Sequence, residues 1–175
     1  MSAADIGADP VRAADFRTVM GRFATGVVVV TCVEDGFDHA MTANSFASVS
    51  LDPALVLVCV EDDSRFHDAV LHAGAWNVNV LEQGQRGRAS WFATSGRPLV
   101  GQFDTTPTRR SAETGALLLD DCLATLECVT ESVHRAGDHE ILVGRVLGME
   151  LARPDGRPLL YFASSYGTLG DPAPR

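Results

Sequence analysis

Residues 27–33, Val27-Val28-Val29-Val30-Thr31-Cys32-Val33, are β-branched at every position but Cys32. Side chains of that shape pack well on a pleated surface, so the run predicts a buried strand. Asp35-Gly36 follows it, a pair that accepts the positive φ angles of a two-residue hairpin turn. A second strand is therefore expected from about Phe37 to Ala43. Upstream, Phe16, Val19, Met20 and Phe23 recur at helical spacing, which predicts a helix from Val11 that stops at Gly26.

Downstream, Asp52-Pro53 introduces a buried strand over Leu55 to Val60. Ser64 has the character of an N-cap, with Phe66, Ala69, Val70 and Ala73 on one helical face and Gly74 as the stop. Trp76 to Leu81 alternates as a strand, and residues 83–94 suit a helix. Pro98 to Gly115 is polar and is expected to be a surface excursion. Strands are expected near 122–133, 139–151 and 158–163. Six or seven strands with three helices do not alternate as β-α-β units. The early hairpin and the late run of strands predict a mostly β chain, an antiparallel barrel with peripheral α-helices at its ends. One domain is expected over 11–170, with a flexible N-terminal tail, 1–10, and a C-terminal tail, 171–175.

Fourteen basic against 23 acidic residues give a formal charge of −9. A chain that acidic gains nothing from DNA phosphates, so nucleic acid is not expected as a partner. The first residues lack a continuous apolar core, and no apolar run reaches membrane-spanning length. The expected location is cytoplasmic, with no membrane partner. Cys32, Cys59, Cys122 and Cys128 form no C-x-x-C pair and read as reduced core residues. All fourteen basic residues are arginine. Without lysine there is no Walker-type phosphate loop and no Schiff-base chemistry. There is also no G-x-G-x-x-G turn, no H-E-x-x-H zinc helix and no G-x-S-x-G elbow. His134 and His139 are spaced H-x-x-x-x-H, which fits no metal template.

Three segments are candidates for chemistry. Met41-Thr42-Ala43-Asn44-Ser45-Phe46-Ala47-Ser48-Val49-Ser50 places short polar side chains between two buried strands. It reads either as a turn-capped polar loop or as a rim for a flat ring rich in acceptors. Ser64-Arg65-Phe66-His67 opens a helix, where free N–H groups and a partial positive charge suit a phosphate, unless it is an ordinary solvated start. Gly137-Asp138-His139 ends a turn and opens a strand.

Taken together these stretches resemble the flavin reductase-like, FMN-binding split-barrel family. The residues that carry the resemblance are Met20-Gly21-Arg22-Phe23-Ala24-Thr25-Gly26, the 41–53 segment, Leu55 to Val60, Asn77-Val78-Asn79-Val80-Leu81, Gly137-Asp138-His139, Leu159-Leu160-Tyr161-Phe162 and Tyr166-Gly167. The chain looks most like the short reductase components of two-component flavin-dependent monooxygenases. The resemblance covers about residues 16 to 169.

It implies a split β-barrel homodimer that passes hydride from NADH or NADPH to FMN or FAD. The reduced flavin would then supply a partner monooxygenase. The implied flavin contacts are Thr42, Ala43, Asn44, Ser45, Ser48, Val49, Ser50 and Cys59, with Ser64, Arg65 and His67 toward the phosphate. His139 would position the nicotinamide. Ala40, Arg145 and Ser164-Ser165 depart from residues common in the family at those places. Hydride transfer between two bound rings asks mainly for placement, so no general acid or nucleophile is nominated. Two other readings stand beside it. One is a flavoprotein that retains its flavin and reduces ferric iron or a quinone. The other is a non-catalytic flavin- or haem-binding sensor.

Overall fold

The computed structural model describes residues 11–170. The expected tails, 1–10 and 171–175, lie outside the described residues. In chain order the elements are α1 (Ala13–Met20), β1 (Thr25–Gly26), β2 (Val28–Glu34), β3 (Phe37–Ala43), β4 (Ala47–Leu51), β5 (Ala54–Glu61), α2 (Arg65–Ala73) and β6 (Ala75–Val80). A 3-10 turn at Gln83–Gln85 then leads into α3 (Arg86–Ala93). β7 (Thr108–Arg110), β8 (Leu117–Leu119), β9 (Ala124–Ala136), β10 (His139–Leu151), β11 (Leu159–Phe162) and β12 (Ser165–Thr168) complete the fold.

One seven-stranded antiparallel sheet, ordered β3-β2-β6-β9-β10-β5-β4, carries most of the structure. Its two edge strands, β3 and β4, are consecutive in the chain and joined by residues 44–46 alone. Laid flat, the seven strands would hold those edges about 29 Å apart, whereas three linking residues reach only about 14 Å. The sheet has to curl until its edges approach. The result is a barrel left open at one seam, and the seam is lined by residues 42–46.

Local signals explain the elements that formed as expected. Asp35 and Gly36 both take positive φ, as the hairpin turn requires, and β2 pairs with β3 from Val28↔Ala43 to Glu34↔Phe37. Ser64 Oγ accepts the His67 N–H at 3.2 Å, and Gly74 adopts the left-handed conformation at the end of α2. Val28, Val30, Val58, Trp76, Cys128 and Leu142 meet inside the barrel. Val27, Val29, Leu81, Phe92 and Leu159 form a second cluster under α3. The cysteines are free, and burial pushes Cys32 and Cys128 up to about 12 and Cys122 up to about 11. Cys32, Cys122 and Cys128 match the expectation of reduced core residues, whereas Cys59 is only partly buried.

Three expectations are corrected. The first helix ends at Met20 rather than Gly26, because Thr25 and Gly26 pair with Tyr161 and Leu160. Its apolar stripe is not buried among the described residues, where Phe16, Val19, Met20 and Phe23 all stand exposed. Residues 47–51, read as part of a polar loop, form β4, since Ala47 to Leu51 pair with Leu57 to Ala54. The stretch 98–115 is not simply a surface excursion. Gln102, Thr106 and Ser111 are buried, and Gln102 Nε2 donates to the Asp38 carbonyl at 2.6 Å.

Candidate functional site

A cleft of about 460 Å³ opens where β3, the β5–α2 junction and the segment after α3 converge. β3 supplies His39 to Thr42, and the junction supplies Glu61, Asp63, Ser64 and Arg65. The third wall is Phe92 to Arg97. A shallower depression of about 200 Å³ adjoins it at the barrel seam, lined by Val27, Thr42, Ala43, Asn44, Ala93, Tyr161 and Tyr166. Thr42 and Ala93 belong to both. The two lie side by side across those residues, one with a charged lining and the other with a flat aromatic one.

The charged end is held by Arg97. Its Nη1 donates to the Phe92 and Thr94 carbonyls, both at 3.0 Å, and its Nη2 to the Ala40 carbonyl. Nε donates to Gln102 Oε1 at 3.0 Å. These bonds tie the last turn of α3 and the loop beyond it to β3. Arg65 Nη1 donates to the Arg97 carbonyl at 2.9 Å, which brings a second guanidinium alongside. Burial and the nearby Arg65 charge lower the Arg97 pKa to about 10, so the two cations repel each other. Adjacent cations at a helix start form a seat that an anion would relieve.

At the flat end, Thr42 Oγ1 donates to the Ala89 carbonyl of α3 at 2.8 Å. Tyr161 and Tyr166 meet edge to face with centroids 5.4 Å apart. Burial raises the Tyr166 pKa, so its hydroxyl stays protonated at neutral pH. Thr42, Ala43 and Asn44 line the same recess. Short side chains beside two aromatic rings leave room for a planar ligand.

The sequence-derived residues separate into four groups. Thr42, Ala43, Asn44, Ser64 and Arg65 line the adjoining clefts. Ser45 and Cys59 serve each other: Ser45 Oγ donates to the Cys59 carbonyl and accepts its N–H, both at 3.1 Å, pinning the seam to β5. Ser48, Val49 and Ser50 lie on β4 outside both clefts, and Ser50 Oγ accepts the Asp52 N–H. His67 and His139 also fall outside the cleft linings.

His67 spends both ring nitrogens on carboxylates, Asp68 at 2.8 Å and Glu140 at 3.0 Å. Burial acts to lower its pKa, but those two hydrogen bonds outweigh it and hold the group above its ordinary value. It ties α2 to β10. His139 stands at the tip of the β9–β10 hairpin, in register with Glu61 of the cleft rim. Its Nδ1 lies 2.8 Å from Asp138 Oδ1, and that hydrogen bond lowers the Asp138 pKa.

Arg97 and His39 went unread in the sequence. Arg97 sits in a stretch that looks like surface loop. His39 follows Asp38 within a strand whose alternation offers no sign of a cleft. Only the contact of Arg97 with Ala40, 57 residues away in sequence, exposes their role.

A family model described as flavin reductase like domain matches residues 20–170. The chain is 38% identical over 168 residues to an NADH-dependent FMN reductase of Streptomyces nodosus subsp. asukaensis, covering 96% of this chain and 90% of that protein. It is 35% identical over 161 residues to the reductase subunit of a flavin-dependent monooxygenase of Rhodococcus jostii, covering 92% and 80%. Among solved structures, an NADH:FAD oxidoreductase of Streptomyces globisporus in complex with NAD and FAD fragments superimposes with a TM-score of 0.87. That pair shares 36% identity over 95% of this chain and 100% of the other.

Proposed function

Because this chain belongs to the flavin reductase-like domain family, we propose that it carries hydride from NADH to FMN or FAD and releases the reduced flavin to a partner monooxygenase. The observation that carries the reading is the pair of adjoining clefts, one lined by two cations and the other a flat aromatic recess. A flavin mononucleotide has that same polarity, a phosphate at one end and a planar ring at the other. Thr42, Ala43 and Asn44 would hold the ring edge, and Ser64 and Arg65 the phosphate. The flavin supplies the electron-accepting ring; the chain's own work is to orient it and keep its face open to a second ring. Two electrons and one proton arrive together as hydride, and no side chain has to give or take a proton at the reacting carbon.

Several features favour a carrier role over a retained flavin. The recess is small, and its polar lining consists of short side chains, Thr42 and Asn44, beside Tyr161 and Tyr166. Such a site suits micromolar binding. NADH oxidation by the purified protein is therefore expected to rise with added FMN or FAD and to saturate, with flavin lost on dilution. The check is a steady-state rate against flavin concentration, with an unrelated flavin-consuming oxygenase as a trap for the reduced form. Turnover independent of added flavin, with nothing reaching the trap, would point instead to a retained flavin reducing another acceptor.

A homodimer in the cytoplasm is part of the same proposal. The exposed stripe of α1 is apolar, and Leu51, Met149 and Leu151 are exposed as well. Among the described residues no helix is long and apolar enough to cross a membrane. Burying those surfaces against a second copy is favourable at about 25 cal/mol per Å². Sedimentation is expected to return twice the chain mass of 18.6 kDa. A monomer that still binds flavin would rule the dimer out.

A further inference from the structure

His39 lies on β3 in the wall of the larger cleft and is 7% exposed. Neither Nδ1 nor Nε2 has a hydrogen-bond partner among the described residues. A neutral imidazole always carries one N–H donor and one acceptor nitrogen, and buried polar groups left unpaired are rare in folded proteins. Among the other polar side chains of the wall, Arg97, Thr42 and Ser64 are committed, and Glu61 and Asp63 add two carboxylates to the same lining. Arg97 is held by four acceptors, Thr42 by Ala89, and Ser64 by the cap of α2.

Resting on the reading of this cleft as a phosphate seat, we propose that His39 is a further donor of that seat, binding a phosphate oxygen alongside Arg65. The charged groups facing His39 come from four elements. Glu34 lies on β2, Asp38 on its own strand, Arg65 on α2 and Arg97 on the segment after α3. Asp38 is turned to Arg110, with contacts of 2.5 and 3.0 Å, and Glu34 lies 3.7 Å from His72. Burial first, and then Arg65, hold the His39 pKa below its ordinary value, so the ring is neutral at neutral pH. An anion drawn in by the two guanidinium groups would offset that repulsion and find an unused N–H behind them. Arg65 is exposed and, among the described residues, tethered only through its bond to the Arg97 carbonyl, so its guanidinium is available to an incoming phosphate.

The phosphate could belong to the flavin or to the dinucleotide, and the test separates these. Equilibrium binding is measured for FMN against riboflavin and for NAD against nicotinamide riboside, in wild type, His39→Gln and His39→Asn. The expected result is a fall of about tenfold in the preference for the phosphorylated member of one pair, the unphosphorylated member binding as before. A fall in the FMN pair names the flavin phosphate as the source, and a fall in the NAD pair names the dinucleotide. If wild type shows a preference that both variants keep, His39 is not a phosphate contact and the seat stands without it. If wild type shows no preference in either pair, the phosphate seat itself is wrong and the inference falls with it. Should neither variant fold, histidine-labelled wild type gives the answer. The His39 ring nitrogens shift with the phosphorylated ligand and not with its counterpart, and equal shifts for both overturn the proposal.

Discussion

Gly144→Ala is expected to destabilise the protein by about 1–3 kcal/mol, lowering the melting temperature by roughly 2–12 °C. The indole of Trp76 reaches from β6 across β9, where its Nε1 donates to Thr130 Oγ1 at 3.1 Å, and ends against Gly144 of β10. A Cβ built on Gly144 would lie 2.4 Å from Trp76 Cζ2. Trp76 is fully buried and anchored by that hydrogen bond, so the ring has nowhere to retreat. The chain also shifts register between Val143 and Gly144, which leaves little slack in the strand itself. The clash should be relieved in part by Trp76→Phe, whose ring stops short of β10. Thermal melts of the two single variants and the double variant test this as a coupled pair. Gly144→Ala melting with wild type would show that the backbone yields freely there.

The second expected result concerns the hairpin tip. His139→Ala should lower kcat/KM for NADH about tenfold or more while leaving the KM for flavin within about twofold. The Asp138 carboxylate engages Nδ1 and so fixes the ring's orientation. That leaves Nε2 as the nitrogen for a ligand, one strand from the cleft rim at Glu61. Loss of one hydrogen bond to a charged group is worth about 1.5–3 kcal/mol, which gives the tenfold figure. The side chain is 41% exposed, so the fold should be untouched. Asp138→Asn should give a smaller defect of the same kind, because the ring remains but its orientation is released. Equal NADH efficiency in wild type and His139→Ala would place the nicotinamide elsewhere.

Much of the barrel is written locally. The four valines of 27–30, the Asp35-Gly36 turn, the Ser64 cap and the Gly74 stop each act within a few residues. Each produced the element expected, because φ preference, capping and β-branching need no distant partner. Where a segment's state depended on pairing, local reading failed. Ala47 to Leu51 has the composition of a loop and became a strand only because β5 offers it a ladder. The stripe of α1 follows helical spacing, yet no surface among the described residues covers it.

The candidate site divides the same way. Thr42, Ala43, Asn44, Ser64 and Arg65 were legible as short polar groups beside buried strands and as a helix start. The serine of the seam was equally legible, but its partner was not. Ser45 looks like a ligand contact until Cys59 is seen to take its hydroxyl. By itself, the sequence determined a mostly β chain with a polar rim after the first hairpin and no lysine-based chemistry. Only the tertiary structure decided that the rim lies at an open barrel seam, that Arg97 and His39 share a cleft with Arg65, and that Gly144 stands against the Trp76 indole. The physical reason is range. A turn or a cap is settled by neighbours along the chain, whereas a cleft is settled by closure, which brings Ala40 to Arg97 and Trp76 to Gly144 without leaving a periodic mark on either segment.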